Sequence, residues 1–134
     1  MDLTIDIGNY RLNVRAAALI IHNNKVLTHR NINKDHYCIP GGRIEIGESS
    51  EETVKREIQE ELNVEIEVND HICTVEFDYP TFHLSMECYW CKITMGNLTL
   101  VEHEAAKWLR KDQLYSVDWL PADIEVVDNI LQNL

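Results

Sequence analysis

Three glutamates, Glu57, Glu60 and Glu61, follow one another at spacings of three and one. On a helix, positions i, i+3 and i+4 share one patch about a turn wide, so the three carboxylates crowd and repel. A hard divalent cation relieves that repulsion, because Mg²⁺ favours a few carboxylate oxygens together with water and substrate phosphate. A solvated face of a glutamate-rich helix would explain three glutamates alone. The surroundings weigh on the choice: residues 42–64 hold seven of the 23 acidic residues, adding Glu45, Glu48, Glu51 and Glu52 to the trio. Immediately before them, Pro40-Gly41-Gly42 is a sharp breaker, so the carboxylates gather beside a glycine turn.

Local pattern supplies the elements that position this cluster. A helix begins near Ser50, with Ser49 or Ser50 as its cap and Glu51-Glu52 at the positive end of its dipole. Val54, Ile58 and Leu62 recur at spacing four and define one buried stripe. Asn63 stands where a left-handed residue ends a helix. Upstream, Leu12 to His22 and Lys25 to Arg30 read as strands joined by the turn Asn23-Asn24. Residues 31–36 form a polar loop and Tyr37-Cys38-Ile39 a short strand. Downstream, Val64 to Phe77 and Phe82 to Thr94 are two long strands joined across residues 78–81, and Lys107-Trp108-Leu109 is a short one. A helical turn at residues 111–115 precedes a last helix, Pro121 to Leu134, with proline well placed at its first position. Strands with helices of unequal roles point to an α/β fold: a mixed sheet covered on both faces.

Composition bounds the function. A chain of 134 residues, 45% apolar and 26% charged with 5 Gly and 3 Pro, is an ordinary single globular domain, neither collagen-like nor low-complexity. A domain of that size buries about two thirds of its unfolded surface, so it needs no disulfide or structural metal. The longest wholly apolar run, Ala16 to Ile21, falls far short of the roughly 18 to 20 residues that span a bilayer. A formal charge of −11 repels nucleic-acid polymers and anionic membranes, so a phosphorylated ligand would need cations as mediators. Residues 1–6 lack a basic n-region, so a cytoplasmic, reducing setting is expected, with Cys38, Cys73, Cys88 and Cys91 as thiols. Strand alternation sends Cys88 and Cys91 to opposite faces, against a zinc pair. His103-Glu104-Ala105-Ala106-Lys107 lacks the second histidine of a zinc peptidase motif.

Gly42, five residues, Glu48, seven residues, then Arg56-Glu57-Ile58-Gln59-Glu60-Glu61-Leu62-Asn63-Val64 resembles the box of the Nudix hydrolases, G-x5-E-x7-R-E-U-x-E-E-x-G-U with U apolar. Eight of its nine specified positions agree over 23 residues; the departure is Asn63 for glycine, whose backbone demand asparagine can meet. The resemblance implies an α/β/α sandwich spanning residues 1–134 as one domain, whose loop–helix–loop binds Mg²⁺, with Mn²⁺ able to substitute, and hydrolyses a diphosphate linked to another group. It implies Glu57, Glu60 and Glu61 as metal-binding and base-positioning glutamates, with the carbonyl of Gly41 as a further ligand. Glu57 is the first choice of general base, Arg56 orients a glutamate of the cluster, and Glu48 pairs with Arg56 or holds outer water.

The second half resembles the MutT-like and CTP pyrophosphohydrolase branch of that family, through Glu102-His103-Glu104, Trp108-Leu109 and Trp119-Leu120-Pro121-Ala122-Asp123. That likeness implies action on nucleoside triphosphates and places a further metal-site glutamate at Glu102, with Glu104 as the fallback. Asp123 falls where MutT-like members carry an asparagine that reads oxidised guanine; an ionised carboxylate only accepts hydrogen bonds, which suits the amino group of cytosine or the N1 and N2 donors of guanine, and guanine O6 would repel it. A helix-dipole role for Asp123 is the alternative. Arg30, ending a strand before the box, and Gly42 at its start are further candidate substrate contacts; an ordinary surface role would explain Arg30 equally well. Tyr37, Phe77, Tyr79 and Phe82 could stack on a base or simply fill the core. The expected partner is a small nucleotide, on CTP, dCTP or 8-oxo-dGTP-type substrates, with homodimer formation left open. Nucleotide sugars or dinucleoside polyphosphates remain alternative substrates, and a non-catalytic nucleotide sensor the alternative class.

Overall fold

The structure, a computed structural model, describes residues 2–8, 10–31, 35–98 and 103–133. Along the chain run β1 (Thr4–Ile7), β2 (Tyr10–His22), β3 (Lys25–Asn31), β4 (Gly41–Arg43), α1 (Ser50–Leu62), β5 (Glu65–Asp78), β6 (Phe82–Met95), β7 (His103–Arg110), a 3₁₀ turn (Lys111–Gln113) and α2 (Pro121–Asn133). β2 organises the sheet. One of its edges pairs in parallel with β6, from Arg11 opposite Phe82 to Ile20 opposite Cys91. Its other edge serves three antiparallel partners in succession: β1, then β4, then β3. With β5 on β6 and β7 on β3, the order is β5-β6-β2-β3-β7, and the parallel β2–β6 pair makes the sheet mixed.

Alternation along β2 separates two cores. Ala16, Ala18 and Ile20 join Val54, Ile58 and Leu62 of α1, whereas Ala17 and Leu19 join Ala122, Val126, Val127 and Ile130 of α2. A strand buried on both faces loses polar alternation and reads as an apolar run, as residues 16–21 do. The result is the expected α/β/α sandwich. Cys88 and Cys91 follow the same rule, Cys88 in the α2-side core and Cys91 in the α1-side core. Among the described residues no helix is long and apolar enough to cross a membrane.

The β2–β3 hairpin turns through Asn23 and Asn24, both left-handed (φ 51° and 61°), the conformation a two-residue hairpin demands. Three elements differ from expectation. β1, which precedes the first strand expected at Leu12, is a short strand on the edge of β2. Gly41 and Gly42, read as a breaker, form β4 instead: a Cβ on Gly41 would lie 2.2 Å from the Ala16 carbonyl oxygen, so glycine lets this strand approach β2. Tyr37-Cys38-Ile39 makes only isolated bridges, Tyr37 to Trp119 and Cys38 to His29, because it links β3 to the segment before α2.

Candidate functional site

α1 presents the glutamates in a fixed frame. Ser49 caps it: its side chain accepts from the Glu52 N–H while Glu52 reaches back to the Ser49 N–H, a reciprocal pair that satisfies two end donors. At the other end Asn63 is left-handed (φ 56°) and donates its N–H to the Gln59 carbonyl. Val54, Ile58 and Leu62 are fully buried, which fixes the rotation of the helix and turns Glu57 and Glu60 away from the core.

Arg56 ties this frame together. Its Nε donates to Glu48 at 2.7 Å and Nη2 to the other oxygen of Glu48 at 3.0 Å, a bidentate fork. Nη1 donates to Glu57 at 2.8 Å and to Glu60 at 3.4 Å, and Nη2 also to the Arg43 carbonyl at 3.1 Å. Glu48 additionally accepts from Thr53 Oγ1 and the Glu45 N–H. The Arg56 fork, reinforced by Thr53, holds the Glu48 carboxyl down at about 2. Glu57 lies against Gly42, where any Cβ would come within 2.2 to 2.5 Å of its carboxyl group, so glycine is what allows this carboxylate to sit there. The repulsion expected among the glutamates is thus already offset at Glu57 and Glu60 by Arg56. Glu61 instead lines the neighbouring cleft. Among the described residues no three His, Cys, Asp or Glu side chains converge as a ready metal set.

That cleft, about 880 Å³, runs between β4, β2, the β5–β6 turn and the start of α2. Glu61, Gly41 and His29 line it together with Asp123, Ile39 and Tyr79. Asp123 is 5% exposed and its Oδ2 accepts from the Ile39 N–H at 3.0 Å. Burial pushes its carboxyl up to about 6, while the Ile39 N–H and the charge of Arg15 pull the other way. This side-chain hydrogen bond leaves its own helix for the segment between β3 and β4. Tyr79 Oη accepts from the Ala122 N–H at 3.2 Å, and the Tyr79 and Phe82 rings, which both line the cleft, stack with centroids 4.7 Å apart.

Placement of the sequence candidates is uneven. Glu48, Arg56, Glu57 and Glu60 form one network; Gly41, Glu61 and Asp123 share the cleft; Gly42 lies beneath Glu57. Arg30 lies with its guanidinium 5.7 Å from the Tyr37 ring centroid, outside the cleft lining. Glu102 lies outside the described residues, as does the side chain of Glu104. Sequence reasoning passed over Arg11, Asn13 and Arg15, which all line the cleft from β2. Their signal was polar residues at every second position entering an apolar strand, the period of one strand face.

Comparison with known proteins is consistent with this geometry. The NUDIX domain model matches residues 12–130. The 8-oxo-dGTP diphosphatase of Escherichia coli K12 is 25% identical over 121 residues, covering 87% of this chain and 94% of that protein. The CTP pyrophosphohydrolase of the same organism is 25% identical over 88 residues, covering 66% of this chain and 65% of that protein. Among solved structures, the E. coli ORF135 protein superposes with a TM-score of 0.80 at 22% identity, over 95% of this chain and 94% of its own.

Proposed function

Because this chain belongs to the NUDIX family of hydrolases, we propose that it is a Mg²⁺-dependent nucleoside triphosphate pyrophosphohydrolase: water adds across the linkage between the α and β phosphoryl groups, and a nucleoside monophosphate and diphosphate leave. Cytosine nucleotides and 8-oxo-dGTP-type nucleotides are the favoured substrates. The observation that carries this reading is that a single cleft reaches from Glu61 and Gly41, beside the glutamate helix, to the buried acceptor Asp123.

Glu57, Glu60, Glu61 and the Gly41 carbonyl, with Glu102 from the second half, would hold the ion; carboxylate and carbonyl oxygens are the hard donors that Mg²⁺ or Mn²⁺ selects. The Gly42 cradle, which leaves room for the Glu57 carboxyl, fits such a role. When bound, the ion would neutralise phosphate charge and make a water more acidic. Glu57 Oε1 or Oε2 takes the proton of the attacking water, Arg56 holds that carboxyl in position, and Glu48 holds Arg56. Asp123 accepts from an amino group of the base, a charge-assisted contact.

Incubation of the protein with a panel of ribo- and deoxynucleoside triphosphates in Mg²⁺, with chromatographic identification of products, tests this. Monophosphate plus diphosphate is expected, abolished by excess EDTA. Release of orthophosphate alone, or turnover confined to nucleotide sugars or dinucleoside polyphosphates, would overturn it.

A further inference from the structure

Three arginines line the cleft, Arg11, Arg15 and Arg43. Arg11 is paired to Asp6 at 2.7 Å and Arg43 to Asp2 at 3.2 Å, each an exposed pair with an acid from residues 2–6. Arg15, half-buried and opposite Arg43 across the β2–β4 pair, has no ion-pair partner among the described residues. An arginine with its fork unused inside a cleft of a chain carrying a charge of −11 is placed for a ligand acceptor. Two residues along the same strand face, Asn13 is 7% exposed and its Oδ1 is buried without a hydrogen-bond partner. A buried, unanswered amide oxygen is costly unless a ligand donor meets it. Both side chains stand on the α2-side face of β2, as Ala17 does, and their β6 neighbours Leu84 and Met86 give the cleft an apolar floor.

We propose that Arg15 and Asn13 form a second reading wall, facing the Asp123 wall, and that together they select a base carrying both an amino group and a carbonyl oxygen. This rests on the reading of Asp123 as a base acceptor. Asp123 takes the amino or imino N–H, the Arg15 fork donates to the carbonyl oxygen, and Asn13 Oδ1 takes a further N–H of the same base. Cytosine (two N4 amino hydrogens, O2) and guanine (N1 and N2 donors, O6) satisfy all of these; adenine has no carbonyl, and uracil, with N3–H alone, has no further N–H for Asn13.

Binding rather than turnover tests it. In calorimetry with EDTA present, the intact protein is expected to bind CMP and GMP about tenfold tighter than AMP and UMP. Arg15→Met should bring the four within about threefold of one another by weakening CMP and GMP. Asn13→Leu should raise the melting temperature, since it removes an unanswered buried oxygen, while it reduces the same preference; a purely structural amide would not do both. Arg15→Lys, the variant retained should Arg15→Met fail to fold, keeps the charge and loses the fork, and should also lose the preference. Equal affinity of the wild type for all four monophosphates would overturn the proposal. Equal weakening of all four by Arg15→Met would too, since that is the signature of a phosphate contact. Preference among the monophosphates without hydrolysis of any triphosphate would defeat the pyrophosphohydrolase reading alone, and turnover without base preference would defeat this inference alone.

Discussion

The loop–helix segment from Gly41 to Leu62 and the cleft beside it satisfy their polar groups in opposite ways. In the first, Arg56, Glu48, Glu57, Thr53 and the backbone of Glu45 answer one another within about twenty residues, a network that closes on itself. In the second, the Asp123 carboxylate accepts from the Ile39 N–H at one oxygen, Asn13 leaves an oxygen unanswered, and Arg15 has no ion pair among the described residues. Buried polar groups are normally satisfied, so the difference separates a part built to hold its geometry from a part left for something that arrives. In the proposed function, chemistry belongs to the first region and selection to the second.

The strongest test of that division lies in the glutamates. Glu57→Gln and Glu61→Gln should each lower kcat by more than about a hundredfold while leaving the circular dichroism spectrum unchanged, because a neutral amide is a poor ligand and a poor base. Full activity in Glu57→Gln would move the base elsewhere, with Glu102 the next residue to substitute. Mg²⁺ should raise the melting temperature by linkage, equivalent to about 2.7 kcal/mol at a hundred times its dissociation constant. Calorimetric scans across Mg²⁺ concentration check this, and a flat response would make the cluster a solvated face.

Effects in the cleft should be smaller and base-dependent. Asp123→Ala is expected to reduce kcat/KM for the preferred nucleotide by about tenfold to a hundredfold and for poor ones much less. Because burial raises the Asp123 carboxyl to about 6, its ionised acceptor form is lost as pH falls below that value. Base preference should therefore weaken between pH 7.5 and pH 5, and this limb should vanish in Asp123→Asn. The same shift acts on stability with the opposite sense to an ion pair: the cost of the buried charge is full above about 6 and gone below the ordinary value of 3.8. Glu48 gives the smallest effect. Its carboxyl is lowered from 4.5 to about 2, so its stabilising contribution is present above 4.5 and lost as pH falls toward 2. In urea unfolding, the gap between wild type and Glu48→Gln should narrow from pH 7 to pH 3.

What the sequence disclosed follows the same division. α1, its Asn63 end and its buried stripe depend on neighbours within four residues, so spacing alone revealed them, while the cap stayed open between Ser49 and Ser50 until the reciprocal bonds of Ser49 and Glu52 placed it at Ser49. Glu48 and Arg56 were legible because a loop and a helix turn separate them by eight positions. The cleft was not, because Asn13, Ile39, Tyr79 and Asp123 meet only through the β2–β6 pairing and the docking of α2. β4 was hidden for a related reason: Gly41 and Gly42 carry turn propensity locally, and only the close approach to Ala16 and the Glu57 carboxyl explains glycine there. Tyr37-Cys38-Ile39 had strand composition, yet Tyr37 bonds to Asp118 and Leu120 rather than to a continuous ladder.

Most direct is a comparison of kcat/KM for CTP, dCTP, GTP, 8-oxo-dGTP and ATP in the wild type, Glu57→Gln and Asp123→Asn. The division of labour predicts that Glu57→Gln lowers all five by one common factor and keeps their order, while Asp123→Asn changes the order with a modest change in the best rate. A changed order in Glu57→Gln, or a uniform loss in Asp123→Asn, would contradict it.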